Sequence, residues 1–129
     1  MNNHASSEDY LETILILKNK MPLVRAIDVA NEMKFSKPSV SIALKKLKEK
    51  GLITVDSQTG NINFTEDGLN IATNVLDKHR VISSFLISLG VSENVALEDA
   101  CKLEHDLSEE SFSKLKLFYQ SYIIKNNSK

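Results

Sequence analysis

The chain has 129 residues, 42% of them hydrophobic, with 16 Lys and Arg against 17 Asp and Glu and a formal net charge of -1. This length allows a real apolar core but leaves little room for two full-sized domains. A single cysteine excludes an internal disulfide, and no apolar run approaches the roughly 20 residues of a membrane span, so we expect a cytoplasmic protein without a membrane partner.

Two short helices are predicted at the start of the chain. Tyr10, Ile14 and Leu17 fall on one helical stripe, which predicts a first helix over residues 8–19. Apolar residues at helical spacing predict a second helix over residues 23–33. Their shortness and closeness are typical of a helix-turn-helix.

A capped helix and a hairpin follow. Ser36 is a good N-cap for a third helix, and Gly51 fits the left-handed residue that ends it. Apolar and polar residues alternate over residues 53–55 and 62–64, which predicts a short antiparallel hairpin. This order of elements predicts a winged helix-turn-helix domain over residues 1–64.

The second half of the chain is predicted to be entirely helical. Thr65 opens a long helix that runs to about Leu89, and Ser92 and Ser108 are N-caps of two further helices. The expected fold class is therefore mainly α, with a winged helix-turn-helix followed by a helical region over residues 65–129.

The third helix is the predicted DNA-recognition element. Six lysines and one glutamate lie between Lys34 and Lys50, and the second helix of a helix-turn-helix enters the major groove. Lys37 can donate to guanine or phosphate, and Ile42 can pack on a thymine methyl group. The alternative is that the lysines only keep the protein soluble, because a charged run is often a solvated helix face. The candidate DNA-binding residues are Ser36, Lys37, Pro38, Ser39, Ser41, Ile42, Lys45 and Lys46.

Two groups of side chains have the spacing of metal ligands. Cys101, Glu104 and His105 stand at i, i+3 and i+4, which places a thiol, a carboxylate and an imidazole on one helical face. Asp9 and Glu12 form a second pair at i, i+3. Each residue also has an ordinary interpretation, such as a small core cysteine or an acid near a helix N-terminus, so the spacing alone leaves both possibilities open.

Three segments carry a resemblance to a known family. Glu8-Asp-Tyr-Leu-Glu12, Lys78-His79-Arg80 and the segment from Cys101 to Ser108, with the helix-turn-helix between them, resemble the metal-dependent repressors of the diphtheria toxin repressor and manganese transport regulator family. The resemblance covers residues 7–122. It implies a homodimer that binds palindromic operator DNA with its winged helices and represses metal-uptake genes when divalent metal acts as corepressor.

The resemblance also implies the ligands and the helices of the dimer. By position, Asp9, Cys101, Glu104 and His105 match one metal site, whereas Glu12 and His79, sharing Glu104, match a second or merged site. It places dimerisation and metal binding in residues 65–129, and the sequence ends before the SH3-like domain of iron-type members, as in a short form. The candidate dimer residues are Phe85, Leu86, Leu89, Phe112 and Tyr119, and the alternative role for at least half of them is packing in the core of their own chain.

The donor atoms bear on the choice of metal. Carboxylates at Asp9, Glu12 and Glu104 favour Mn(II), with Fe(II) next, whereas a thiolate at Cys101 adds affinity for Co(II) and Zn(II) in vitro. The family's iron-type branch also has a cysteine at the position of Cys101, but its ancillary ligands are replaced here by Ser83 and Leu97.

Two other classes of function compete with that of a metal-dependent repressor. An enzyme is disfavoured because the chain has no Gly-rich phosphate loop and no nucleophile elbow. The alternative that stays open is a winged-helix regulator that senses an organic ligand or a redox signal through Cys101.

Overall fold

A computed structural model of the protein describes residues 6–127 and confirms the mainly helical fold class. The chain divides into two compact units, and the division falls between Asn74 and Val75. No helix within residues 6–127 is long and apolar enough to cross a membrane. The elements are α1 (Ser7–Lys20), α2 (Ala26–Met33), α3 (Lys37–Glu49), β1 (Ile53–Val55), β2 (Ile62–Phe64), α4 (Glu66–Ser88), α5 (Glu93–Asp106) and α6 (Glu109–Asn127).

Side-chain caps fix the ends of the first helices. The Ser6 hydroxyl accepts from the Asp9 backbone N–H at 3.1 Å, while the Asp9 carboxylate accepts from the Ser6 N–H at 2.9 Å, so α1 begins with a reciprocal capping box. Lys34 ends α2 in the left-handed region, with φ of 60°. Ser36 then caps α3, as its sequence position predicts, by accepting from the Ser39 N–H at 3.3 Å.

The start of α2 differs from the prediction. The sequence places it near Leu23, but the helix begins at Ala26. Val24 instead pairs with the hairpin: its carbonyl accepts from the Ile62 N–H at 2.8 Å, and its N–H donates to the Asn61 side chain at 3.0 Å. Because these bonds hold Val24 in extended backbone, the helix cannot begin before them.

The wing is a two-stranded antiparallel hairpin whose strands match the predicted ranges. Ile53 pairs with Phe64, and Val55 pairs with Ile62. In the turn, the Asp56 carboxylate accepts from the backbone N–H groups of Gln58 and Thr59 at 2.7 and 3.1 Å. These two bonds, the one from Thr59 first, lower the pKa of Asp56 because they favour its charged form.

The first unit encloses an apolar core. Val40, Leu44 and Leu47 of α3 are buried in it, as their helical spacing predicts. The first turn of α4 lies against the backbone of Leu52, since a Cβ on Gly68 would sit 1.8 Å from the Leu52 carbonyl oxygen. The buried cluster comprises Tyr10, Leu11, Ile14, Leu17, Val24, Val29, Ala30, Val40, Leu44, Leu47, Ile53, Ile62 and Ala72.

In the second unit, ion pairs join α4 to α6. The Lys78 ammonium lies 2.7 Å from the Glu109 carboxylate, and the Lys116 ammonium lies 2.6 Å from that of Asp77. Both ammonium groups lie near the face of the Phe112 ring, at 5.8 and 6.0 Å from its centre. Phe112 is only 4% exposed, so its prediction as a dimer residue is wrong: it packs inside its own chain.

Candidate functional site

The N-terminal part of α3 and its outer face are open to solvent. Ile42 is 59% exposed, which is unusual for a large aliphatic side chain on a helix whose Val40, Leu44 and Leu47 are buried. The outer face therefore combines serines, lysines and one aliphatic side chain, a mixture suited to the groups exposed in a DNA major groove. All eight predicted DNA-binding residues are exposed: Ser36, Lys37, Pro38, Ser39, Ser41, Ile42, Lys45 and Lys46.

Some polar residues near this face have structural partners. The Ser36 hydroxyl donates to that of Ser39 at 2.9 Å while capping α3. The Asn61 side chain accepts from the Val24 N–H at 3.0 Å. Asn61 therefore fastens the wing to the segment before α2.

The second unit brings together three predicted metal ligands. On α4, His79 shares a stripe with buried Val75 and Ile82, and on α5, Glu104 continues the buried stripe of Ala96 and Ala100. The three side chains approach one another closely: His79 Nδ1 lies 3.0 Å from Glu104 Oε2 and 3.8 Å from Cys101 Sγ. One donor atom from each of His79, Cys101 and Glu104 lies within 4.8 Å of the other two.

The environment of Glu104 fits a cation. Its side chain is fully buried, and Oε1 accepts no hydrogen bond among the described residues, although His105 Nε2 lies 3.5 Å away. Burial of a carboxylate oxygen without a close donor is costly, and coordination to a divalent cation would offset that cost. An imidazole, a thiol and this carboxylate form a donor set suited to first-row transition metals.

The two remaining candidate ligands lie on α1. Asp9 is half-buried and takes part in the capping box, and Glu12 is only 8% exposed. Both belong to the first compact unit, and their place in a metal site stays a prediction. At the ancillary position, the Ser83 hydroxyl donates to the His79 carbonyl at 2.7 Å, so it is engaged with the backbone of α4.

Sequence reasoning gave no role to the charged pair beside this cluster. Lys78, the residue before His79, is 8% exposed and bound to Glu109 at the start of α6. A lysine that pairs with an acid at the start of a helix 31 positions later, beyond one intervening helix, leaves no periodic signal in the sequence. The nearest signal is the Lys78-His79-Arg80 segment, in which only His79 was assigned a role.

Together, the exposed face of α3 and the clustered candidate ligands are the features expected of a metal-responsive DNA-binding regulator. Residues 4–60 match the family described as iron dependent repressor, N-terminal DNA binding domain. Residues 65–122 match the iron dependent repressor, metal binding and dimerisation domain. The chain belongs to this family of metal-dependent transcriptional repressors, which are not enzymes, and the family predicted from the sequence is confirmed.

Known relatives agree with this assignment. The chain is 38% identical over 119 residues to an HTH-type transcriptional regulator of Methanocaldococcus jannaschii, covering 91% of this chain and 94% of the relative. It is 34% identical over 115 residues to the transcriptional regulator MntR of Escherichia coli O157:H7, covering 89% and 74%. The solved structure of the manganese regulator SloR is similar with a TM-score of 0.80 and 31% identity, over 91% of this chain and 54% of that one. The chain thus spans about half the length of that structure.

Proposed function

We propose that the protein is a repressor of metal-uptake genes that binds operator DNA in the cytoplasm with Mn(II) as its corepressor. The observation that carries the proposal is the convergence of His79, Cys101 and Glu104, whose donor atoms lie within 4.8 Å of one another, on a carboxylate that is fully buried. Membership of a metal-dependent repressor family supports it from an independent direction.

The proposed ligand set draws on three helices. His79 of α4 and Cys101, Glu104 and His105 of α5 supply an imidazole, a thiol, a carboxylate and a second imidazole. Asp9 and Glu12 of α1 would add two carboxylates, a role that rests on the family resemblance. A bound divalent cation would neutralise the charge of these carboxylates.

The proposed metal is Mn(II), with Fe(II) as the second candidate. Carboxylates at positions 9, 12 and 104 are hard ligands that suit Mn(II), and the similar protein SloR is described as a manganese regulator. The Cys101 thiol favours softer ions, so Zn(II) or Co(II) should also bind in vitro. In solution, most sites bind Zn(II) more tightly than Fe(II), and Fe(II) more tightly than Mn(II). The relative affinities measured in vitro are therefore a poor guide to the ion used in the cell.

The proposed partner is a palindromic operator bound by a homodimer. Two recognition helices related by a two-fold axis would enter successive major grooves roughly 34 Å apart. The exposed face of α3 supplies Lys37 for guanine or phosphate, Ile42 for a thymine methyl group, and Lys45 and Lys46 for phosphates.

The dimer surface is proposed to lie on exposed apolar residues of the segment 81–89, at the C-terminal end of α4, and of α6. Leu89 is 65% exposed and Phe118 is 64% exposed. An aromatic cluster joins α4 to α6, since the ring of Phe85 makes edge-on contacts with those of Phe118 and Tyr119, at 6.4 and 6.2 Å between ring centres. Large exposed apolar side chains on adjacent helices are typical of an interface with another chain.

Charge gives a reason for metal control. Without a cation, Asp9 and Glu12 would repel Glu104 if the three were brought together, and such repulsion disfavours the ordered state. A cation that binds the DNA-competent state more tightly shifts the population towards it.

The test is the anisotropy of a labelled palindromic promoter duplex titrated with the protein. It is run with chelator and then with Mn(II), anaerobic Fe(II) or Zn(II), beside a scrambled duplex of the same length. We expect tight operator binding only with metal. Equally tight binding with chelator would overturn the corepressor assignment.

A redox regulator is the second candidate because the Cys101 thiol is exposed and lies 3.8 Å from His79 Nδ1. Operator binding that is insensitive to chelator but lost on addition of hydrogen peroxide would favour this candidate. A Cys101→Ser variant should then keep its binding in peroxide.

A further inference from the structure

The side chain of Arg25 lies along the tip of the wing. Its Cγ and Cδ atoms are each 3.8 Å from the position that a Cβ on Gly60 would occupy. The residue is exposed, and within residues 6–127 its guanidinium makes no hydrogen bond or ion pair. The aliphatic stem therefore runs beside the turn at Gly60, while no described residue binds the charged group.

The backbone around Arg25 is firmly held. Val24, the residue before it, is bound to Asn61 and Ile62 of the wing, and Arg25 itself is the N-cap of α2. The Arg25 N–H donates to the Asp28 carboxylate at 2.9 Å, so the nearby acid is engaged with the backbone. A fixed backbone lowers the entropy that Arg25 loses when its guanidinium binds.

We infer that Arg25 binds a phosphate of the DNA backbone beside the groove that α3 enters. The helix that precedes the recognition helix in this motif crosses the DNA backbone, and Arg25 is the N-cap of that helix. A guanidinium binds phosphate oxygens through two parallel hydrogen bonds. The inference rests on the proposed function, and it adds to the DNA-binding surface a residue that lies outside α3.

The neighbouring cation on this side of the wing is already in use. The Lys18 ammonium donates to the Ile62 carbonyl at 2.7 Å and to the Asn63 side chain at 3.2 Å. Lys18 thus fastens α1 to β2, whereas Arg25 keeps all its guanidinium donors. Of the two, Arg25 is the one able to contact DNA without giving up a bond within the protein.

The test measures how operator affinity depends on salt. Wild-type protein and the Arg25→Gln variant are titrated onto the promoter duplex and the scrambled duplex in saturating Mn(II), at a series of KCl concentrations. A dimer would lose two phosphate contacts, so the slope of log K against log[KCl] should become less negative by twice 0.9, about 1.8. Affinity should fall on the order of tenfold for both duplexes, because a phosphate contact carries no sequence information.

Two further variants separate charge from geometry. Arg25→Lys should keep the wild-type slope because it keeps the charge, and Lys114→Gln, on exposed α6, should leave both slope and affinity unchanged. Mn(II) affinity, measured by calorimetry, should be equal in all four proteins. An unchanged slope in Arg25→Gln, or a loss confined to the promoter duplex, would overturn the phosphate assignment. Wild-type binding that ignores metal would overturn the corepressor proposal but leave the Arg25 slope decisive.

Discussion

The two units of the chain bury different kinds of side chain. In the first unit the fully buried large side chains are apolar, among them Leu11, Ile14 and Leu47. In the second unit Lys78 and Glu104 are buried as well, and each charge has its own environment: Lys78 faces Glu109, whereas Glu104 Oε1 accepts no hydrogen bond among the described residues. The first unit also buries an acid, Glu12, which is 8% exposed, so the difference is one of degree: only the second unit has a charged side chain among its fully buried large residues.

The same contrast holds at the surface. Three large hydrophobic residues of the first unit are exposed among those described, against nine of the second. Exposed apolar side chains in this number are typical of a surface that another chain covers, so the second unit is the better candidate for an interface. The nine are Ile87, Leu89, Val95, Leu97, Leu103, Leu117, Phe118, Tyr122 and Ile124.

The largest expected effect comes from neutralising the buried acid. Glu104→Gln keeps the shape of the side chain but removes its charge. Loss of a residue that only hydrogen-bonds to a metal ligand can lower metal affinity by up to about 100-fold, so loss of a ligand's charge should lower it by more. Metal-stimulated operator binding should be lost with it. Calorimetry with Mn(II) and anisotropy with the promoter duplex measure the two effects.

Thermal unfolding sharpens the same prediction. In wild-type protein, Mn(II) at 100 times its Kd should add about 2.7 kcal/mol of stability, whereas Glu104→Gln should gain almost none. Glu110→Gln, an exposed acid of α6, removes the same charge and should behave as wild type. Full metal stabilisation of the Glu104 variant would remove this residue from the ligand set.

The next effect concerns assembly. Phe118 is 64% exposed and its ring contacts that of Phe85. Phe118→Glu replaces this ring with a charged side chain, so it should convert the dimer to a monomer if this face is the interface. Leu69→Glu, at an exposed position of the first unit, is the matched control and should stay dimeric. Sedimentation equilibrium distinguishes them, and a dimeric Phe118 variant would move the interface elsewhere.

Local signals in the sequence predicted most of the fold. Ser36 as an N-cap, Gly51 with φ of 74° and the alternating hairpin strands are all set by residues next to one another in the chain. The start of α2 was placed wrongly because Val24 is held by Asn61, 37 positions away. Periodicity within one element carries no information about such a bond.

The candidate site divides in the same way. Cys101, Glu104 and His105 share a helix and were visible as a spacing, whereas the contact between His79 and Glu104 spans 25 positions and required the family resemblance. Phe112 was assigned to the dimer because an apolar residue on an amphipathic helix gives no sign of which partner covers it. In the structure Phe112 is buried, and the ammonium groups of Lys78 and Lys116, from distant positions in the chain, lie near its ring.

The smallest effect tests why the first unit exposes an aliphatic residue on α3. If Ile42 packs on a thymine methyl group, Ile42→Ala should lose roughly the value of one buried methyl group in each half-site, twice about 0.8 kcal/mol or about 15-fold in the operator affinity of the dimer. Replacing that thymine by uracil, which lacks the methyl group, should cost the wild-type protein a similar factor. The two changes remove one contact, so together they should cost little more than either alone. Anisotropy titrations of both proteins against both duplexes complete the cycle. Additive losses would show that Ile42 and the methyl group do not touch, and the exposed side chain would then need another explanation.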